Sequence, residues 1–244
     1  MKTLNFIRIA LFLCSFEFLY SCQKDQSDLR SISTFKDDPI VEGIDTSHLR
    51  QGLVAYYPFR GDLLDHSGNN HNSSVVGTVS FGRNHLGKRN SSLNLGSGYV
   101  VTDQFFNFER SDSFSVAMWF KLNTPSSGGR LISTECPEGN FRIAAGDNGA
   151  YAFQFGNYIW DTVALNTWNY IVYTYDQRRV RIYKNDTLIY KGYDNSDEQL
   201  NYCAPFTIGA KASYAFDEWQ GSIENLRVYN RALSKSEARY LYRH

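Results

Sequence analysis

The sequence predicts an all-β fold of two packed antiparallel sheets with one short helix at the C-terminal end. From Leu53 onward, short alternating apolar and polar runs recur, each cut by Gly, Asn, Asp or Ser, which is the signature of half-buried strands and turns. Aromatic residues make up 16% of the chain, a content that suits pleated surfaces and binding faces alike. Only one segment carries a helix-start signal: Ser234-Lys235-Ser236-Glu237, whose Ser and Glu stand three residues apart as a capping box.

The elements follow in order. Runs at 53–59, 92–95 and 99–101 supply the first strands. The clearest strand is 114–122, where Phe114, Val116, Met118, Phe120 and Leu122 fall on one face by period-two alternation and so predict core. Runs at 130–135, 140–145 and 150–155 come next, separated by Cys136-Pro137-Glu138-Gly139 and Gly146-Asp147-Asn148-Gly149, both of which are hairpin-turn chemistry. Strands at 168–175, 179–184 and 187–193 are joined by Asp176-Gln177-Arg178 and by Asn185-Asp186, a pair that tolerates the positive φ of a tight hairpin. Runs at 206–210 and 221–229 complete the sheets, and the capped helix extends through Tyr242. In the last strand, strict alternation puts Ile223, Asn225 and Arg227 on one face and Glu224, Leu226 and Val228 on the other, so neither face is purely apolar and a bulge or a site is expected there.

The N-terminus reads differently. Lys2 and Arg8 precede an apolar run at 9–19 that is too short to span a bilayer, and the run ends at Leu19-Tyr20-Ser21-Cys22. Residues 1–21 are therefore expected to be a signal peptide. The last four residues resemble the lipobox of bacterial lipoproteins, which implies acylation of Cys22 and a membrane held by a lipid anchor. Gln23-Lys24-Asp25-Gln26 resembles the charged tag that directs lipoproteins to the outer face of the outer membrane. Residues 22–50 have the Ser, Asp, Lys, Gln and Thr content of a solvated tether, leaving 51–244 as one folded domain.

Loss of Lys2, Arg8 and Glu17 with the signal leaves 23 basic and 24 acidic side chains, a balance with no electrostatic footprint for nucleic acid. Cys14 departs as well. Cys136 and Cys203 then remain as either a disulfide or two buried thiols, and a bridge closing so long a loop would stabilise the fold by about 4 kcal/mol.

Four segments in this order resemble the laminin-G-like members of the concanavalin A-like lectin/glucanase superfamily. They are 53–59 running into Gly61-Asp62-Leu63-Leu64-Asp65-His66-Ser67-Gly68-Asn69-Asn70; 114–122; Leu165-Asn166-Thr167-Trp168-Asn169-Tyr170 with the hairpin to Tyr190; and Gly221-Ser222-Ile223-Glu224-Asn225-Leu226-Arg227-Val228-Tyr229-Asn230-Arg231-Ala232-Leu233-Ser234. The resemblance implies a jelly-roll sandwich. It also implies a structural Ca²⁺ between the oxygen-rich loop of Asp62, Asp65, Asn69 and Asn70 and the strand carrying Glu224, although the family's second carboxylate is an amide here, Asn225. Read by themselves, the loop residues are equally turn residues chosen for side-chain hydrogen bonds and positive φ.

Lectin-like binding needs exposed rings beside directed polar groups. Tyr151, Tyr158, Trp160, Tyr214, Phe216 and Trp219 lie in or near loops with Gln154, Asn157, Asp161 and Asp217 close by, and the expected ligand-binding set is Trp160, Trp219, Tyr158, Tyr151 and Asp217. Trp119 and Trp168 occupy regular strand positions and are expected to be packing residues. The Glu-x-Asp-x-x-Glu pattern of the glucanase relatives is absent from the sequence, and the five histidines show no i, i+4 metal spacing. Asp217 with Glu218, and Asp194 with Asp197 and Glu198, read as solvated polar residues. The expected function is thus a noncatalytic module on the cell surface that binds carbohydrate or a protein partner. A glycosidase with an unrecognised active site and a structural component of a surface complex are the alternatives.

Overall fold

Phe114, Val116, Met118, Phe120 and Leu122 are all fully buried on one face of their strand, as the alternation requires. The computed structural model describes residues 46–244 apart from 104, 125–128, 135–140, 146–149, 156, 197–203 and 212–218. Thirteen strands and one α-helix are present among them: β1 (Leu53–Tyr57), β2 (Ser74–Gly82), β3 (Ser92–Val101), β4 (Ser113–Leu122), β5 (Arg130–Ser133), β6 (Arg142–Ala145), β7 (Ala150–Phe155), β8 (Asn157–Thr162), β9 (Trp168–Asp176), β10 (Arg179–Lys184), β11 (Thr187–Tyr193), β12 (Thr207–Ile208), β13 (Gly221–Tyr229) and α1 (Lys235–Arg243). A 3₁₀ turn, Thr46–Arg50, precedes β1.

All pairings are antiparallel, in the order β11-β10-β9-β4-β13-β3-β12-β5-β6-β7-β8, with β1 beside β13 and β2 beside β3. The ladder folds over on itself into a jelly-roll sandwich, because β4 and β9 pack face to face on β7 without hydrogen bonding to it. Phe114 meets Phe155 with ring centroids 4.9 Å apart, and Tyr173 meets Phe153 at 5.9 Å. Apolar burial between the layers is the main driving force for the fold.

The opposite face of β4 is buried too. Ala117 and Trp119 join Tyr170, Val172 and Tyr229 in a second core beneath α1, which contributes Ala238 and Leu241 with Tyr242 alongside. Those three helix positions share one stripe by their i, i+3, i+4 spacing. The expected capping box is formed at Ser234 and Glu237. Arg231 grips Glu237 with two parallel bonds of 3.0 and 2.5 Å and holds the carbonyls of Gln51 and His48, tying the helix start to the chain before β1. At the other end Arg239 and Arg243 reach Asp186 in the β10–β11 turn. Asn185 and Asp186 there take the positive φ expected of them.

The structure adds two strands that the alternation did not reveal. β2 is exposed on both faces along most of its length, so it has no apolar period. Its partner β3 runs unbroken through Gly96-Ser97-Gly98, where the sequence suggested two separate runs. A Cβ on Gly98 would lie 2.5 Å from the backbone nitrogen of Thr78, and one on Gly77 would lie 2.5 Å from the carbonyl oxygen of Ser97, so the glycines here serve close approach of two strands. The second addition, β8, is an edge strand with rings on one side only.

In β13 the pairing slips between Glu224 and Arg227, and Asn225 adopts φ +52°. This bulge corrects the strict alternation: Ile223, Leu226 and Val228 all enter the inner core, whereas Tyr229 faces the second core under α1. Asp194 is a further correction. It is buried to 1% exposure, not solvated, and forms an ion pair with Arg110 while accepting from the Ser196 backbone N–H and the Tyr175 hydroxyl. A carboxylate this deep persists because its lone pairs are answered.

Candidate functional site

Strand β8 places Tyr158 and Trp160 two residues apart, so both side chains leave on the same side of the outermost strand. Their planes lie within 11° of parallel, with centroids 6.3 Å apart. Both rings are exposed, Tyr158 to 52% and Trp160 to 63%, which is unusual for side chains with so much apolar surface. Local packing explains it. Trp160 pairs with Ala152 on β7, which pairs with Ala144 on β6, and neither alanine has the length to shelter an indole. Tyr158 pairs with Gln154, which pairs with Arg142, and the Arg142 guanidinium sits over the Tyr158 ring at 5.0 Å from its centroid.

The opposite side of β8 anchors this edge. Ile159 packs against the inner core, and Asp161 accepts from the Tyr151 hydroxyl at 2.7 Å and from Lys184 Nζ at 2.5 Å. Lys184 also donates to the Thr162 carbonyl at 2.9 Å, so β10 in the facing layer holds the edge strand in place. Burial opposes the Asp161 charge, but the bonds from Lys184 and Tyr151 outweigh it and hold the carboxyl below its usual range. Burial also pushes the Tyr151 hydroxyl far above its ordinary value, so it remains a donor.

Tyr151 is therefore a correction. It is fully buried against Phe120 and Phe153 and supports the edge from beneath, where the sequence suggested a ligand contact. Trp219 is the other. Its ring is fully buried beside Phe120, with centroids 5.9 Å apart, and belongs to the core between the layers. Trp119 and Trp168 pack into the second core as expected. Asp217, Tyr214, Phe216, Cys136, Cys203, Cys22, the signal segment and the tether to residue 45 lie outside the described residues, as does the side chain of Asn157. Arg142 and Lys184 were not legible as site residues, since their partners come from strands that the sequence separates widely.

The residues proposed for calcium do not fit that ion. Asp65 accepts from the backbone N–H groups of Tyr56 (2.9 Å), Ser67 (2.8 Å) and His71 (3.1 Å) and from the Ser67 hydroxyl (2.7 Å), so both of its oxygens already face donors. Glu224, at 3% exposure, accepts from Asn84 Nδ2, His85 N–H, His85 Nδ1 and Asn225 Nδ2 at 2.9–3.1 Å. Calcium requires six to eight oxygens free to turn their lone pairs inward. Asp62 accepts from the Leu64 N–H and His66, and Asn70 takes φ +63°, the behaviour of turn residues. Among the described residues no group of three or more His, Cys, Asp or Glu side chains is arranged to hold a metal.

Asp65, Asp161 and Glu237 share one consequence. In each, burial opposes the charge and hydrogen bonds overcome it, from backbone groups to Asp65, from Lys184 and Tyr151 to Asp161, and from Arg231 and Ser234 to Glu237, leaving all three lowered. A lowered folded value contributes stability above the unfolded value of about 4 and loses it as pH falls through the folded one. Thermal melts should therefore be level above about pH 5 and fall in midpoint below about pH 4. An unchanged midpoint at pH 3 would contradict the assignment.

A Laminin_G_3 family model, described as concanavalin A-like lectin/glucanases superfamily, matches residues 94–239, more than half of the chain. The chain belongs to the concanavalin A-like lectin/glucanases superfamily. Among solved structures, this superfamily member is similar to domain 4 of AbnA, a GH43 extracellular arabinanase from Geobacillus stearothermophilus in complex with arabinotriose, at 20% identity over 78% of this chain and 98% of that one, with TM-score 0.63. It is also similar to the binding domain of botulinum neurotoxin DC in complex with rat synaptotagmin II (18% identity, 79% of this chain and 51% of that one, TM-score 0.64). A third similar structure is that of botulinum neurotoxin type C, whose cell entry depends on two ganglioside molecules (18%, 82% and 53%, TM-score 0.66). At these identities the likeness carries the fold alone, and the chain spans about half the length of the neurotoxin chains it matches. No curated protein matches the sequence.

Proposed function

We propose that this domain is a noncatalytic surface module that binds carbohydrate on the Tyr158–Trp160 edge of β8. The observation that carries the reading is the pair of parallel, exposed rings on one side of an edge strand, backed by small side chains and an arginine. Sugar faces stack on such rings while their hydroxyls take directed bonds from groups at the rim. The arabinotriose complex of the similar arabinanase domain supports a glycan as ligand, and the synaptotagmin complex of the neurotoxin domain supports a protein as the second candidate. Asp161, the carboxylate next to Trp160 in the chain, lies on the opposite side of β8 from the rings and is spent on Tyr151 and Lys184, which favours binding over proton transfer.

Replacing Trp160 with Ala, and separately Tyr158 with Ala, should abolish retention in affinity electrophoresis through a panel of polysaccharides. The melting midpoint should stay unchanged, because exposed substitutions typically shift stability by no more than about 0.5 kcal/mol. Full retention by Trp160→Ala would refute the platform. Retention by no polysaccharide in the panel would transfer the reading to a protein partner.

The same proposal places the module on the outer face of a bacterial outer membrane through acylated Cys22. Several acyl chains are expected there, since one chain gives only marginal binding. Cys22→Ala should move the protein from the membrane fraction to the soluble one, and continued sedimentation with membranes would sink the anchor.

A further inference from the structure

The loop that joins β2 to β3, residues 83–91, segregates charge. The chain has 25 acidic residues, yet none falls between Asp65 and Asp103, and the only Lys and Arg residues of that stretch, Arg83, Lys88 and Arg89, all sit in this loop. All three are exposed. Arg83 Nη1 donates to the Gly87 carbonyl at 2.7 Å, while the side chains of Lys88 and Arg89 meet no partner among the described residues. Between these cations stands Leu86. It is exposed to 78%, and no large apolar side chain among the described residues is more exposed.

Hydrogen bonds hold Leu86 outward. The Asn84 N–H donates to the Lys88 carbonyl at 3.0 Å and the Gly87 N–H to the Asn84 carbonyl at 2.9 Å. Asn84 Oδ1 then accepts from the N–H groups of Leu86 and Lys88 at 3.1 and 2.8 Å, which closes 84–88 into a tight turn with Leu86 at its centre. Gly87 supplies the φ of +79° that this turn requires. The base of the loop is fixed as well. Glu224 accepts from Asn84 Nδ2 and from the N–H and Nδ1 of His85, whose ring lies flat on Trp119 with centroids 3.9 Å apart. An aliphatic tip and a collar of cations are therefore displayed on a framework that needs no further ordering to bind.

We propose that the β2–β3 loop docks on an anionic lipid surface, with Leu86 entering the acyl boundary and Arg83, Lys88 and Arg89 meeting phosphate headgroups. Unpaired cations call for clustered anions, and an isobutyl group held in water calls for an apolar phase beside them. A membrane interface layers the two in that order. An acidic polysaccharide would answer the cations, but it offers no apolar phase to an aliphatic tip, and sugar faces stack on rings instead. The loop shares no residue with the Tyr158–Trp160 edge, and its docking depends neither on a glycan there nor on acylation of Cys22.

Cosedimentation with vesicles tests the proposal, using residues 22–244 with Cys22→Ala, a chain that keeps every described residue and carries no acyl group. It should pellet with vesicles of equal parts phosphatidylcholine and phosphatidylglycerol, stay in solution with phosphatidylcholine alone, and be released as salt screens the headgroups. Lys88→Gln with Arg89→Gln, and separately Leu86→Ser, should each weaken binding to the mixed vesicles by about tenfold or more. Melting midpoints should not move, since these side chains are exposed. Absence of binding to the mixed vesicles, or undiminished binding by the Lys88 and Arg89 double variant, would overturn the docking. Undiminished binding by Leu86→Ser would overturn the insertion. Retention on heparin–agarose without vesicle binding would overturn the lipid surface in favour of a soluble polyanion. Both variants should keep any polysaccharide retention by the β8 edge, so the two sites fail or succeed separately.

Discussion

Phe114→Ala should lower the unfolding free energy by about 3–5 kcal/mol, the range for truncating a fully buried aromatic ring. Phe114 is the hub of the inner core. Its ring lies within 4.9–5.7 Å, centroid to centroid, of Phe106, Phe108, Phe141, Phe155, Tyr173 and Tyr175. These come from both layers and from the loop before β4, so the cavity left by alanine has walls on several elements and cannot collapse by moving one of them. For a domain of this size each kcal/mol shifts the melting midpoint by about 2–4 °C, which makes the expected fall on the order of 10 °C. Phe114→Leu, which keeps most of the volume, should cost well under half as much. Urea melts of both variants would decide the matter, and a loss below about 1 kcal/mol for the alanine variant would contradict the packing of β4 on β7.

Asp194→Ala should destabilise by about 3–5 kcal/mol, for a different reason: it strips the counter-charge from a buried cation. Arg110, at 13% side-chain exposure, would keep its charge and lose the Asp194 carboxylate, and the bonds that the Ser196 N–H and the Tyr175 hydroxyl make to that carboxylate would be lost with it. The pair joins the loop before β4 to the chain leaving β11, and Arg178 binds the same segment through the carbonyls of Asp194 and Ser196. Because a buried ion pair recovers little net energy over its desolvation, Asp194→Leu combined with Arg110→Met should regain most of the stability lost in the single variant. Chemical melts of the two single variants and the double variant form the cycle, and additive losses would show that the charges do not interact.

Elements encoded over a few residues were legible in advance. The alternation of β4, the Asn185–Asp186 turn and the Ser234–Glu237 capping box all appear where local chemistry put them. The expected irregularity in β13 is a bulge at Asn225, and the jelly-roll class holds throughout. β2 escaped because a strand solvated on both faces carries no apolar period to read. The oxygen-rich loop was open to two readings, and only the donors that close on Asp65 and Glu224 from Tyr56, Asn84 and His85 separate a set of hydrogen-bond acceptors from a set of metal ligands.

The binding rings divide in the same way. By itself the sequence determined that Tyr151, Tyr158, Trp160 and Trp219 were large amphipathic rings set among turns and short strands, where any of them had the chemistry to stack on a sugar. Only the tertiary structure decided which ones face water. Trp219 and Tyr151 pack on Phe120 and are lost to the core, whereas Trp160 leaves the outermost strand over alanines too short to cover it and Tyr158 keeps half its surface exposed beside Arg142. The physical reason is that exposure belongs to a residue's neighbours, and strand pairing draws those neighbours from positions far apart in the chain.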